Sequence, residues 1–164
     1  AWWGQKHSCP GPRQARGGRT SCAKDKVWRF IFYIMGTTRQ KLIKKLDQLF
    51  SIYIRTKDAD HRGMNQCYTC DKVEHWKKMD AGHFQSRGKF STRWNPRNVK
   101  PQCKRCNGFR SGEQFKFARH LDQDYGPGTA QEIETESNQT RKWSIPELQE
   151  LVDNYMQYRR TNGY

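Results

Sequence analysis

The sequence predicts a small α+β fold, in which a short two-stranded core is stapled by cysteines, preceded by one helix and followed by a helical tail. Three observations lead there. Cysteines at 67, 70, 103 and 106 form two C-x-x-C pairs. Between the pairs lie two short segments that read as strands, and outside them apolar residues recur at helical spacing. The length of 164 residues suits one domain with appendages rather than two independent large ones.

Taken in order, residues 1–36 are a basic arm, because PGPRQARGGRT sustains neither helix nor strand. Val27 to Met35 (VWRFIFYIM) fits a strand or a buried helical turn, and periodicity does not choose. Residues 37–66 form a helix and a connection. Thr37-Thr38-Arg39-Gln40 has the form of a capping box, and Leu42, Leu46, Leu49, Phe50 and Tyr53 follow at helical spacing, predicting a helix over about 38–56. Its outward face carries Lys41, Lys44, Lys45 and Arg55. Residues 67–111 make the core: a strand from Trp76 to Phe84, a basic loop from Ser86 to Trp94, a strand from Asn98 to Gln102 and a helix beginning within Cys103 to Arg110. Residues 112–164 form the tail. Ser111, Thr129 and Ser144 each precede Gln or Glu at the third following position, predicting helices near 112–123, 129–137 and 145–160. The last is amphipathic through Leu148, Leu151, Val152 and Tyr155; that face can cover the chain's own core or join two copies.

Lys and Arg number 31 against 16 Asp and Glu, a net charge of +15. This excess points first to a polyanionic partner, with nucleic acid the commonest; the plainer alternative is a merely soluble basic protein. Residues 1–120 hold 27 basic and 8 acidic side chains, whereas 121–164 hold 4 and 8. The polyanion therefore belongs on the first three quarters of the chain. No apolar run reaches the roughly 18 residues of a membrane span, and the longest is interrupted by Arg29. The first residues lack a signal-peptide core, so the expectation is a soluble, intracellular protein with no membrane partner.

Two C-x-x-C pairs suit tetrahedral zinc, since a two-residue gap lets both sulfurs of a knuckle reach one ion. The expectation is a structural Zn²⁺ on Cys67, Cys70, Cys103 and Cys106. The 32 residues between the pairs exceed what a simple ribbon needs, so something else is built there. That stretch holds Asp80-Ala81-Gly82-His83 and Asn98, and Asn107 directly follows Cys106. His, Asn and a further metal-ligating residue, in this order between zinc knuckles, are the parts of an HNH nuclease with a ββα-metal, treble-clef-like core. Hydrolysing a phosphodiester needs a base to deprotonate water and a cation to neutralise the leaving oxygen. His83 is the expected base, because imidazole titrates near neutral pH. Asp80 and Asn107 offer hard oxygens that suit Mg²⁺ or Mn²⁺. Asn98 is expected to brace the strands and orient His83 through a backbone hydrogen bond. In this scheme the base activates water, attack on phosphorus is in line, and the products are a 5′ phosphate and a 3′ hydroxyl.

CYTC at 67–70, MDAGHF at 79–84, RWNPRNVKPQCKRCN at 93–107, RSG at 110–112 and the tail segments QEIE and RKWSIPEL resemble the lambdoid bacteriophage NinG/Rap recombination endonucleases. The resemblance spans roughly residues 38 to 160. It implies a structure-specific nuclease acting on branched recombination intermediates such as Holliday junctions and D-loops, in the cytoplasm of a bacterial host, with phage or host recombination proteins as partners. The Cys-then-Asn ending is also similar to phage endonuclease VII, which implies Asn107 as a metal ligand where a typical HNH enzyme has a final His. Asp80 departs from the typical pattern, which puts the acid next to the base. Residues 1–36 depart too: family members tend to begin with a four-cysteine finger, while here only His7, Cys9 and Cys22 are available, a partial zinc finger at most.

For DNA backbone contacts the sequence offers Arg87, Lys89, Arg93, Arg97, Lys104, Arg105 and Arg110, since Arg forks match phosphate geometry. Trp76 and Trp94 are candidates for stacking on exposed bases, with core packing the commoner use of such aromatics. His61, His75 and His120 show no motif spacing and read as structural. Junction-cutting enzymes often pair, so a homodimer is a further expectation. The rival class is a non-catalytic zinc module that only binds branched DNA or RNA.

Overall fold

A computed structural model describes residues 23–164, and side-chain surroundings from residue 38 onward. Most of the arm and its candidate ligands His7, Cys9 and Cys22 lie outside the described residues. Helix α1 runs Ala23–Thr56, so Val27 to Met35 is helical rather than strand. The predicted capping box at Thr37 falls inside this helix. The reason is compositional: between Ala23 and Thr56 there is no Pro and a single Gly, which costs about 1 kcal/mol and does not end a helix.

Two antiparallel two-stranded sheets follow. Strands β1 (Met64–Gln66) and β2 (Val73–His75) pair Met64 with His75 and Gln66 with Val73. This hairpin replaces part of the predicted polar connection and carries the first cysteine knuckle at its tip. A 3₁₀ turn, Trp76–Lys78, occupies the start of the expected long strand. Strands β3 (Met79–His83) and β4 (Val99–Cys103) then pair Met79 with Cys103, Asp80 with Gln102 and His83 with Val99. After β4 comes a five-residue π-helical turn, Arg105–Phe109, and then a 3₁₀ turn, Ser111–Glu113. Helices α2 (Gln114–Tyr125), α3 (Thr129–Ser137) and α4 (Ile145–Thr161) complete the chain. The α+β class and the tail of three helices stand as expected.

Of the predicted caps, Ser144 forms a complete capping box with Glu147. Ser111 does not cap α2; it sits at φ +49, in a left-handed run with Gly112 and Glu113. Thr129 lies inside α3, and its hydroxyl donates to the carbonyl of Gly126.

The main core joins α1 to α4. Leu46, Leu49, Phe50 and Ile54 pack against Leu148 and Val152, with Trp94 and Val99 beneath. The amphipathic face of α4 therefore packs on its own chain, with Leu148 and Val152 buried and Leu151 and Tyr155 partly so. Trp94 is packing rather than a stacking platform. Smaller clusters gather Met79 with the cysteines, and Phe117 with Leu121 and Ile133.

One polar contact ties α1 to the loop after β3. Asp47 accepts hydrogen bonds from Arg87 Nη2 (2.6 Å), Arg93 Nε (3.0 Å), Arg93 Nη2 (2.7 Å) and Trp94 Nε1 (3.0 Å). Arg93 and Asp47 side chains are each 13% exposed, so the pair is close to a buried one. Burial alone would raise the Asp47 carboxyl, but its hydrogen bonds from Arg93, Arg87 and Trp94 hold it below the ordinary 3.8. Asp47→Asn leaves Arg93 half-buried without its counter-charge and should cost about 3 kcal/mol. Because the folded value is depressed, the wild-type contribution is full above 3.8 and is lost as pH falls through the lower folded value. Thermal melts against pH should show that acid-side loss in the wild type and a flatter slope in Asp47→Asn.

Candidate metal centre and hydrolytic site

The hairpin tip and the end of β4 converge on four sulfurs. A tight turn holds the first knuckle, where the Cys67 N–H donates to the Lys72 carbonyl at 2.8 Å. Cys67 and Cys70 face Cys103, the last residue of β4, and Cys106 in the π-helical turn. All four Sγ atoms lie within 4.8 Å of one another, with Cys70 and Cys103 at 3.8 Å. A tetrahedral zinc with bonds near 2.3 Å separates its sulfurs by about 3.8 Å, so the donor set and spacing fit the ion. The Cys103 N–H donates to Cys67 Sγ at 3.3 Å. Burial would raise the Cys67 thiol, yet the N–H groups of Cys103 and Thr69 bring it down to about 7, favouring the thiolate a metal needs.

β3 leaves this cluster carrying Asp80 and His83. Asn107, one residue past Cys106, donates from Nδ2 to Asp80 Oδ2 at 3.1 Å. Two side chains 27 residues apart are thus brought together beside the cysteines. Turning the Asn107 amide over presents Oδ1 beside the carboxylate, giving two hard oxygens to one cation. Arg55 of α1 reaches the same end of β3, donating to the carbonyls of Trp76 (3.2 Å) and Met79 (3.3 Å). It is therefore not part of the solvated face expected for it, unlike Lys41, Lys44 and Lys45, which are exposed.

His83 sits at the far end of β3, in a small cavity shared with Asp47, Phe50, Ser51, Ala81, Arg87 and Arg93. Its Nε2 lies 3.3 Å from the Arg93 carbonyl. A carbonyl only accepts, so the nitrogen facing it carries the hydrogen and Nδ1 keeps the lone pair. Burial pushes the imidazole below its ordinary 6.5, opposed by the backbone carbonyls of Arg93 and Ala81 and helped by the charges of Arg87 and Arg93. The ring is thus kept neutral near pH 7.

Asn98 is fully buried but does not bond His83. Its Oδ1 accepts from the Gln85 N–H (2.6 Å), and its Nδ2 donates to the carbonyls of Gln85 (3.1 Å) and Thr92 (3.0 Å). It closes the loop between β3 and β4, which contains the Arg93 carbonyl that faces His83. The direct hydrogen bond to His83 expected of Asn98 is absent, and its side chain braces the loop instead. Gly82 has a steric purpose: a Cβ there would lie 1.9 Å from Gln102 Oε1. Its absence lets Gln102 cross over β3 and donate to Thr69 Oγ1 (2.9 Å) and the Gly112 carbonyl (2.8 Å).

The basic residues chosen from the sequence divide. Arg87 and Arg93 are engaged by Asp47, Arg97 pairs with Glu132 at 3.3 Å, and Arg110 pairs with Glu113 at 2.6 Å. Lys89 donates to Asn138 at 3.2 Å. Lys104 and Arg105 are exposed on the π-helical turn beside Asn107. Arg93 is the one whose fork is committed within the fold, with its guanidinium also over the Phe90 and Trp94 rings. Trp76 packs among His75, Tyr164 and Arg55. His75 caps the 3₁₀ turn, accepting from the Lys77 N–H, and His120 lies against the Tyr68 carbonyl, both structural as expected. Sequence reasoning missed Asp47 and Gln102. A lone carboxylate directly after Lys44-Lys45-Leu46, in a helical stretch otherwise basic, was the available signal for Asp47.

Among known proteins, residues 31–162 match the family model described as Bacteriophage Lambda NinG protein. Protein ninG of Escherichia phage lambda is 30% identical over 120 residues, covering 73% of this chain and 56% of that protein. Protein ninG of Escherichia phage 933W is 28% identical over 120 residues, covering 73% and 57%. The chain spans a little over half the length of the curated relatives it matches. No solved structure matches.

Cys103→Ser replaces a soft ligand that is also the last residue of β4. Metal analysis should find one zinc ion fewer per chain than in the wild type, together with a lower Tm. An unchanged zinc content would contradict a four-cysteine site.

Proposed function

The chain belongs to the bacteriophage lambda NinG family, and we propose that it is a metal-dependent, structure-specific DNA endonuclease of the ββα-metal (HNH) kind. Its proposed substrates are branched recombination intermediates such as Holliday junctions and D-loops. The observation that carries this reading is the Asp80–Asn107 contact of 3.1 Å on the strand that ends in His83. Two hard-oxygen residues and a neutral imidazole, on β3 and on the turn after β4, are the minimum set for metal-assisted phosphodiester hydrolysis.

In this reading Asp80 and Asn107 would hold Mg²⁺ or Mn²⁺, which would supply positive charge for the oxygen that leaves phosphorus. His83 takes the proton from water at Nδ1, and its Nε2–H stays anchored on the Arg93 carbonyl. The developing imidazolium lies beside Asp47, whose charge is already shared between Arg87 and Arg93. Asn98 keeps the loop, and with it that carbonyl, in place. The net charge of +15 supports a polyanionic substrate. The phage relatives support the bacterial cytoplasm as the setting and recombination proteins as partners.

His83→Ala should lower cleavage of a synthetic four-way junction by about 100-fold or more with Mg²⁺ or Mn²⁺, while leaving junction affinity close to wild type. Because a base must be neutral, the wild-type rate should fall as pH drops through a value below 6.5 and level off above it. Asp47, Arg87 and Arg93 are the charged groups facing the ring, so Asp47→Asn should move that inflection further down. A wild-type protein that binds junctions but cuts none with either metal would leave a non-catalytic binding module instead.

A further inference from the structure

Two phenylalanines beside the proposed site are left in water. Phe109 is 89% exposed and Phe115 is 77% exposed, the two largest exposures among the large apolar side chains described. Phe109 ends the π-helical turn that carries Asn107, and Phe115 lies in the first turn of α2. The backbone between them is unusual. Ser111, Gly112 and Glu113 have φ values of +49, +82 and +50, a left-handed run in which two members are not glycine. Such conformations are unfavourable for residues with a Cβ and persist only where surrounding contacts impose them.

Those contacts are present. The Gly112 carbonyl accepts from Gln102 Nε2 at 2.8 Å, and Arg110 pairs with Glu113 at 2.6 Å. Gln114 Nε2 lies 3.5 Å from the carbonyls of His83 and Ser111. The turn that sets out the two rings is thus pinned to β4 and to the end of β3. A floppy loop would bury its apolar groups wherever it could; this one holds them outward. The flanking charge is one-sided, because residues 104–119 contain Lys104, Arg105, Arg110, Lys116 and Arg119 against Glu113 alone. All five cations are exposed.

The geometry points to Phe109 and Phe115 as an aromatic wedge that stacks on unpaired bases of a DNA branch, with the surrounding cations on the adjoining phosphates. This rests on the endonuclease reading and deepens it, naming what in the substrate is recognised. A protein partner would need apolar surface ringed by acid. Unpaired DNA offers flat apolar faces within a regular row of negative charges, which matches exposed rings among five cations. Fully paired DNA has its bases already stacked and gives the rings nothing to cover.

Fluorescence anisotropy of the full chain, without added Mg²⁺ or Mn²⁺, tests this independently of cleavage. The probes are a four-way junction, a duplex with a three-base bulge and a fully paired duplex of equal length. Phe109→Ala with Phe115→Ala should weaken junction and bulge binding about ten-fold or more and change duplex binding less than two-fold. Trp at both positions should restore the preference, whereas Leu, apolar but unable to stack, should not. Since both side chains stand in solvent, an unchanged Tm is expected for every variant. Equal losses on all three DNAs would overturn the wedge, as would unaltered affinities accompanied by a shift from dimer to monomer in light scattering. A wild type that cuts junctions yet passes none of these binding comparisons would sink the wedge and keep the nuclease. One that shows the wedge but never cuts would do the reverse.

Discussion

Four sulfurs meeting within 4.8 Å decide where almost everything else in the core stands. Cys67 and Cys70 come from a hairpin of only three residues a side, too short to hold itself together in water. Cys103 and Cys106 bracket the point where β4 gives way to a π-helical turn. Drawing these pieces to one point fixes the direction in which the chain leaves β4, and so delivers Asn107 to Asp80. A core this small buries few apolar residues, and four clustered cysteines of a spacing that suits zinc offer a staple in place of the missing hydrophobic area.

A second constraint works at the other end of β3. Asp47 is an acid on a helix whose neighbouring exposed positions are lysines, and it gathers two arginines and an indole from the loop after β3. Its carboxylate offsets the charge of the two guanidinium groups that stand beside His83. Asn98 closes the same loop from inside. The two ends are coupled mechanically through Gln102, which passes over Gly82 to reach both Thr69 of the first knuckle and Gly112 of the turn before α2. His83, Asp80, Asn107 and the cysteine cluster are thus held around a five-residue strand by polar contacts from Asp47, Asn98 and Gln102.

How much of this was legible in the sequence depended on range. The cysteine pairs were legible because ligand spacing is a local property of a knuckle. The Ser144 capping box was legible for the same reason. Ser111 and Thr129 carried the same local pattern and failed: Gln102 and Arg110 dictate the backbone before α2, and Gly128, free to take φ +90, occupies the cap position of α3. The start of α1 was misplaced because Thr37 and Thr38 look like a cap when only their neighbours are read. Asp47 and Gln102 were illegible, since their partners lie tens of residues away and no spacing rule connects them. Gly82 was seen as part of a motif, but its steric purpose exists only once β4 is beside it.

The pairing of α1 with α4 has a consequence for how the protein comes to be made. Arg39 bonds the Trp143 carbonyl across 104 residues, and Leu148 and Val152 cover the α1 stripe from the far end of the chain. The cysteine cluster, in contrast, is complete once Cys106 has been synthesised. During translation the cysteine-bearing core can close while Leu46, Leu49, Phe50 and Ile54 still wait uncovered for α4 to emerge. The interval between those two events is when the nascent chain is most exposed to aggregation, and its length is set by the residues from 107 to α4.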